Sequence, residues 1–280
     1  MKLFKMNALA GVALATLCAS ASAIPVFEIT PSAIGGASPG SYQDDQLEVV
    51  SSELIHISGA TQTAVGWANV STYSLLGTVT ADSADLLSAT PAAGKYALYL
   101  TFNLVSVGGV LQTLNYSVWA DPGHNDTFNN SSASGAGTDA SVTTNGDDVL
   151  LGVGSLLAGT TTLNSGGVAL NSTGTFGLCQ GGGKLNTGGV VTNNAACTSD
   201  DGIHFFSSPV PFYSIAIDEY NNTSSVVTYN NADPSLATLA SIVGATGSIN
   251  FNTVPEPASL ALAGMALVGL GLASRRKRQA

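Results

Sequence analysis

The densest group of polar side chains in the sequence is the segment DPGHND, residues 121–126. Carboxylate, amide and carbonyl oxygens at such close spacing are the ligand types that calcium takes in proteins. The ligand spacing of an EF-hand is absent, however, and Asp-Pro-Gly is also an ordinary turn sequence. We therefore predict a solvated turn with no bound metal or other cofactor, and we keep Asp121 and Asp126 as weak candidates for a calcium site.

The other acidic residues and the histidines form no catalytic pattern. Asp147-Asp148 and Asp200-Asp201 are adjacent pairs, and neighbouring residues of a strand face opposite sides of a sheet, so neither pair is a carboxylate dyad on one face. No HExxH, GxSxG or phosphate-binding glycine motif occurs in a suitable strand–helix context. The histidines are far apart in the sequence: His56, His124 and His204. The protein is therefore predicted not to be an enzyme.

Two further residue types have more than one interpretation. Cys179 and Cys197 enclose a glycine-rich polar segment without a nearby histidine pair, which favours a disulfide over a zinc site. Closing a loop of that size stabilises a fold by about 3 kcal/mol. Trp67 and Trp119 could stack on sugar rings, but each lies among alternating apolar residues, which favours core packing.

The apolar residues of the middle region alternate with a period of two, which is typical of strands. Tyr96, Leu98, Leu100, Phe102 and Leu104 share one face, and Gly108-Gly109 separates this strand from the next as in a β-hairpin. The pattern predicts an all-β fold, an antiparallel β-sandwich or jelly-roll-like domain. Asn145-Gly146 indicates a second hairpin turn. Short helices are expected only near residues 81–89 and 233–243.

The N-terminus has the organisation of a secretory signal peptide. Lys2 and Lys5 precede an apolar stretch over residues 8–17, and small residues follow at Ala21 and Ala23. This layout predicts cleavage after Ala23, so that residues 1–23 are a signal peptide and residues 24–253 an extracellular β-rich domain.

The charge distribution also indicates export. Residues 24–253 contain 17 of the 18 acidic residues but only Lys95 and Lys184 as basic ones, which gives a formal charge of −15. Positive charge is retained on the cytoplasmic side of membranes. A domain this acidic also lacks the clustered Lys and Arg that nucleic-acid binding requires.

The C-terminal residues 254–280 combine a polar motif, an uncharged segment and a basic tail. Residues 258–274 predict a single transmembrane helix of about 26 Å, short for a membrane span. A stop-transfer tail follows at Arg275, Arg276, Lys277 and Arg278. Pro255 and Pro257 favour an extended, exposed segment just outside the membrane.

The order VPEPASLAL, apolar run, RRKR resembles the PEP-CTERM sorting signal of Gram-negative bacteria. The resemblance implies recognition by exosortase and removal of the tail near Pro255, Glu256 and Pro257. The chain would be exported through the inner membrane, held transiently by its C-terminus, and delivered to the cell surface or extracellular matrix.

The middle region resembles the flocculation-associated PEP-CTERM proteins through FEITPSAIGG, NYSVWADPGHND, GDDVLLGVGSLLAG and SSPVPFYSIAID. This resemblance implies a noncatalytic structural or adhesion protein of the extracellular polymeric matrix, with exopolysaccharide as a candidate partner, that promotes cell aggregation or floc formation. Two alternatives stay open: a calcium-assisted carbohydrate-binding module of the cell surface, and a polysaccharide-modifying enzyme.

Overall fold

A computed structural model describes residues 25–35, 40–80, 96–164, 167–221 and 226–252. These residues form strands and very little helix. The strands are β1 (Phe27–Ile29), β2 (Tyr42–Asp44), β3 (Gln46–Ser58), β4 (Thr61–Leu75), β5 (Thr78–Val79), β6 (Ala97–Val107), β7 (Val110–Asp121), β8 (Thr127–Asn129), β9 (Ser141–Thr143), β10 (Val149–Asn164), β11 (Gly167–Gly181), β12 (Lys184–Thr187), β13 (Val190–Asn193), β14 (Phe206–Ser208), β15 (Ile215–Asn221), β16 (Val226–Tyr229) and β17 (Leu239–Asn252). The helical elements are α1 (Asp201–Phe205) and two 3-10 turns, Pro31–Ile34 and Pro234–Leu236.

Eight long strands form one closed, barrel-like ring. Their order around the ring is β3, β4, β6, β7, β10, β11, β15 and β17, and β17 pairs back to β3. Each strand is antiparallel to the next, so the chain runs up and down around the ring. The predicted all-β antiparallel fold is confirmed. The expected sandwich or jelly roll is corrected, because the main sheet closes on itself and thereby pairs both of its edges.

The turns explain which local predictions hold. Gly108 and Gly109 both have positive φ, at 58° and 81°, and they join β6 to β7 in the predicted hairpin. Asn145-Gly146 does not form a hairpin between β9 and β10, because β9 pairs with β8 and β10 pairs with β7 and β11.

The helix expected over residues 233–243 is absent. Asp233 caps the start of a 3-10 turn by accepting the backbone N–H and the hydroxyl of Ser235 at 2.9 and 2.7 Å, but the turn stops after Leu236, where Ala237 is extended. Strand β17 then begins at Leu239. Its first four residues are all buried because both faces of the strand are covered, and such an apolar run has the same appearance in sequence as a buried helix.

The interior of the ring is filled by side chains. The predicted inward face of β6 contributes Leu98, Leu100 and Leu104 to the main core, with Phe102 packed against it. A group of phenylalanines fills part of the same core: Phe27, Phe176, Phe205, Phe206, Phe212 and Phe251. Eight-stranded rings are just wide enough for such filling.

One acidic side chain belongs to this interior. Glu53 lies on the inner face of β3, the same face as Val49 and Ile55, and is 9% exposed. Opposite it, Gly66 leaves room for the Phe102 ring, since a Cβ there would lie 2.6 Å from Phe102 Cζ and 2.8 Å from Glu53 Cβ. Burial raises the pKa of Glu53 from 4.5 to about 7.

Glu53→Gln should change how stability depends on pH. Because the carboxyl has a higher pKa when folded, wild-type stability falls as pH rises from about 4.5 to about 7 and stays low above that range. At pH 8 the glutamine variant should be more stable than wild type by about 3 kcal/mol, with no difference near pH 4. Urea unfolding at pH 4, 6 and 8 measures this. Glu48→Gln, on the same strand, is the control: burial also raises the pKa of Glu48, but this side chain is less buried, so the variant should show a smaller change in the same direction. Parallel wild-type and Glu53→Gln curves would contradict the prediction.

Several predictions concern residues outside the described ranges. They are the signal peptide at 1–23, the helix near 81–89, the transmembrane helix at 258–274 and the whole sorting tail at 254–280. Within the ranges that the model describes, no helix has both the length and the apolar character of a membrane span.

Candidate metal-binding cluster and adjoining groove

The loop at residues 122–148, which joins β7 to β10, lies against the outer face of the ring. The ring of Phe128 lies 5.1 Å from Trp67 and 5.3 Å from Tyr99, between centroids. The indole N–H of Trp67 donates to the carbonyl of Asn129 at 2.9 Å. Trp67 is 7% exposed, so the prediction that it packs inside the protein is confirmed, and its role is to hold this loop.

A second anchor of the loop is Ser131. Its backbone N–H donates to Ser52 Oγ at 3.0 Å, and its hydroxyl donates to the carbonyl of Glu53 at 2.7 Å. Nearby, Ala133 packs with Leu54 and Leu239 in a small apolar cluster. These buried contacts make the middle of the loop part of the fold.

Three aspartates meet at the ends of this loop. Asp121 ends β7, Asp148 directly precedes β10, and Asp126 lies early in the loop. One carboxylate oxygen from each lies within 4.8 Å of the other two. The pairing of Ala120 with Val149 brings the first two together, and the turn at Pro122 and Gly123 brings back the third. The structure thus joins the two weak sequence candidates and adds Asp148.

The carboxylate of Asp121 is fully buried, at 0% exposed. Its Oδ2 accepts the backbone N–H groups of Asn125 and Asp126 at 2.7 and 3.0 Å. Its Oδ1 is buried as well and has no hydrogen-bond partner. One carboxylate oxygen of Asp126 and one of Asp148 are also buried. Neither accepts a hydrogen bond unless the two carboxyl groups share a proton.

Neighbouring residues complete the cluster. The backbone N–H of Asn145 donates to Asp126 Oδ1 at 3.1 Å, and the Asn145 side-chain amide donates to the carbonyl of Asn125. Tyr99, which is 2% exposed, lies beside Asp148 at the cluster. His124 lies in the same turn with a positive φ of 48°. Asn145 therefore connects the two ends of the loop by hydrogen bonds. It does not form the hairpin turn that the sequence predicted.

The electrostatics of the cluster favour neutralisation. The pKa of Asp126 is raised to about 7: burial is the largest cause, and the hydrogen bond with Asp148 and the charges of Asp121 and Asp148 act in the same direction, whereas the Asn145 N–H lowers it. Burial, together with the charges of Asp148 and Asp126, raises the pKa of Tyr99 above its ordinary range. Three close carboxylates in a partly buried site repel one another until a proton or a cation is shared among them.

The other titratable pairs lie at the surface. His56 is 3.7 Å from Asp139, and His204 is 3.4 Å from Asp200, one turn away on α1. All four side chains are more than half exposed. Asp200 and Asp201 sit at the start of α1. The histidines thus have separate neighbours, as their spacing in the sequence suggested.

A groove of about 630 Å³ lies on the outer face of β4, β6, β7, β10 and β11. Its floor is a set of polar side chains that alternate with core residues: Thr101, Asn103, Asn115, Ser117, Ser155 and Thr175. Asn115 donates to Asn103 at 3.2 Å, and the hydroxyls of Ser155 and Thr175 are 3.0 Å apart. The polar half of the β6–β7 hairpin was visible in the sequence, but the groove it lines depends on strands that pair later in the chain.

Two loops form the walls of the groove. One wall is the 140–142 segment of the 122–148 loop, and the other is the β12–β13 hairpin with Leu185 and Thr187. The predicted disulfide is present: Cys179 and Cys197 are bonded, with Cα atoms 4.9 Å apart and no exposed surface. It packs with Leu150, Trp119 and Leu185, so Trp119 supports the second wall from below.

The comparison with protein-family models concerns the other end of the chain. Residues 253–277 match the model described as PEP_exosort_dom, the PEP-CTERM protein-sorting motif. The described part of the protein is thus an all-β domain, and the chain carries a PEP-CTERM sorting motif. This motif implies processing by exosortase, and a secreted protein with a C-terminal anchor in transit. Comparisons with curated proteins and with solved structures give no match.

Proposed function

We propose that the chain is a noncatalytic adhesion protein of the extracellular polymeric matrix that binds a neutral polysaccharide in its outer groove. Binding of shared matrix polymer by many copies would promote cell aggregation or floc formation, in agreement with the resemblance to flocculation-associated proteins. The sorting motif supports the location. The observation that carries the binding role is the uncharged, hydroxyl- and amide-rich lining of the groove.

The chemistry of the groove suits a neutral sugar chain. The amides of Asn103 and Asn115 offer both donors and acceptors, as sugar hydroxyls require. Val65 and Val153 add apolar surface for the C–H faces of sugar rings. None of the described residues that line the groove is acidic or basic. The acidic character of the domain also disfavours anionic polymers, because like charges repel at the encounter stage.

The same lining supports a noncatalytic role. Glycoside hydrolysis ordinarily requires two carboxyl groups that flank the scissile bond. In the described ranges, the residues that line the groove include no carboxylate and no histidine. The clustered aspartates are packed against one another beneath the loop, at a separation that suits shared neutralisation better than acid–base work on a sugar.

The experiment is co-sedimentation of the secreted protein with neutral exopolysaccharide purified from the host. The double variant Asn103→Ala, Asn115→Ala should weaken binding at least tenfold, since each lost hydrogen-bonding group contributes about 1 kcal/mol. Gln112→Ala, an exposed change on the same β7 strand outside the groove lining, should bind like wild type.

Two results would overturn the proposal. One is unchanged binding by the double variant, which would place the polymer elsewhere. The other is the release of reducing ends from the polysaccharide by wild type, which would make the protein an enzyme. Preference for an acidic polymer such as alginate over the neutral one would also contradict it.

A further inference from the structure

We infer that Asp121, Asp126 and Asp148 form a binding site for a calcium ion, which cross-links the two ends of the 122–148 loop. This site does not depend on whether the groove binds a polysaccharide. It also reverses the expectation from sequence, where the same segment was predicted to be a solvated turn without metal.

One oxygen of the Asp121 carboxylate is buried and has no hydrogen-bond partner. The side chain is 0% exposed, and its Oδ1 receives no hydrogen bond although Oδ2 receives two. A buried carboxylate oxygen that has lost its water is costly unless a donor or a cation replaces that water. One oxygen of each of the two other carboxylates lies within 4.8 Å of an Asp121 oxygen, and neither group offers a donor when ionised. An ion between them would satisfy all three.

The distances between the carboxylate oxygens of the cluster also suit calcium. Calcium–oxygen bonds of about 2.4 Å allow oxygens on opposite sides of one ion to be about 4.8 Å apart. All three carboxylate oxygens lie within 4.8 Å of one another. Magnesium, with bonds of about 2.1 Å and a strict octahedron, accepts fewer arrangements of such oxygens. Asp126 and Asp148 are only half-buried, so water can reach the cluster and complete the six to eight ligands that calcium takes.

Among the described residues, no Lys or Arg neutralises the cluster. In the part of the chain that the structure describes, the one Lys or Arg residue is Lys184, which is exposed on β12. Within that part, no basic side chain therefore forms an ion pair with the cluster to balance its negative charge. Millimolar calcium is available to extracellular proteins, and sites of three carboxylates suit that range.

The proposed calcium site and one wall of the groove belong to the same loop. An ion bound there would link the end of β7, the start of the loop and the start of β10. The same loop supplies the 140–142 wall of the groove and is held near its middle by Trp67 and Ser131. Calcium would thus fix the segments between these anchors and the strand ends.

The test is calorimetric titration of the chelator-treated secreted protein with calcium chloride and, separately, magnesium chloride, without polysaccharide. Wild type should bind one calcium ion and gain thermal stability from it. Asp148→Asn should weaken calcium binding at least tenfold. Asp147→Asn, the neighbouring exposed residue outside the cluster, is the matched control and should bind like wild type.

A second readout separates binding from folding. In the presence of chelator, Asp126→Asn and Asp148→Asn remove like-charge repulsion, so their melting temperatures should equal or exceed that of wild type. Added calcium should then stabilise wild type but neither variant. Absence of calcium binding to wild type, an equal loss in Asp147→Asn and Asp148→Asn, or tighter binding of magnesium than of calcium would each overturn the assignment. Success here with failure of the polysaccharide experiment would leave a calcium-stabilised protein with a different partner.

Discussion

Phe206→Ala should lower the free energy of unfolding by about 4 kcal/mol, the range measured for deletion of a buried phenylalanine ring. Phe206 is 1% exposed, and its ring centroid lies between 5.0 and 6.3 Å from those of five other phenylalanines. These rings come from β1, β11, α1, the segment before β15, and β17. Removing the central ring leaves a cavity that the closed ring of strands cannot collapse to fill. Denaturation in urea, monitored by tryptophan fluorescence, measures the change.

Two control variants make this prediction specific. Phe206→Leu retains most of the buried volume and should cost less than half as much. Val210→Ala, four residues away in the chain and 87% exposed, should change stability by less than 0.5 kcal/mol. A loss below about 1 kcal/mol for Phe206→Ala would show that the aromatic group is not the main core, and that the ring of strands is stabilised elsewhere.

The sequence predicts the strands well but not how they close. The alternation along β6 and β7 is a local pattern, and the structure places its apolar half inside. Closure depends on the pairing of residues 47–56 of β3 with residues 239–249 of β17, which are nearly the whole domain apart. No local periodicity records such a pairing, and a sandwich and a closed ring share the same alternation.

Burial on both faces also hides the architecture. Residues 51–55 of β3 are all buried, since Ser51, Glu53 and Ile55 face the interior while Ser52 and Leu54 lie beneath the 122–148 loop. The loop itself is rich in Ser, Asn and Gly, which predicts exposure. It is held instead by a few specific contacts, among them that of Trp67 with the carbonyl of Asn129. Composition does not reveal contacts of this kind.

The candidate cluster shows the same division between local and distant information. Asp121 and Asp126 are close in the sequence, so their oxygens could be proposed as ligands at once. Asp148 joins them only because β10 pairs with β7. Asp147 and Asp148, which precede β10, have different surroundings: the first is exposed and the second lies in the cluster. Adjacency in the sequence does not identify the third candidate ligand, because Asp148 is brought there by the pairing of the neighbouring strand β10.

Replacing Pro255, Glu256 and Pro257 together with alanine should abolish removal of the C-terminal tail in a host that has exosortase. The residues match the family motif that exosortase processes. Proline fixes φ and disfavours helix in the preceding residue, so the triple change both removes the recognised side chains and lets the segment continue the apolar helix expected at 258–274. The variant should accumulate in the membrane fraction with its tail intact. Intact-mass analysis of the secreted wild type should show a chain that lacks Arg275–Ala280.

Thr253→Ala is the matched control for this change, because it lies inside the matched span but outside the Pro-Glu-Pro sequence. It should be processed like wild type. The effect is close to all-or-none, since one cut decides whether the acidic domain leaves the membrane, and it leaves the ring of strands unaltered. A secreted wild-type protein that still carries Arg275–Ala280 would contradict exosortase processing and would make the tail a permanent anchor. If the triple variant were cut as efficiently as Thr253→Ala, recognition would depend on the apolar run and the basic residues after it.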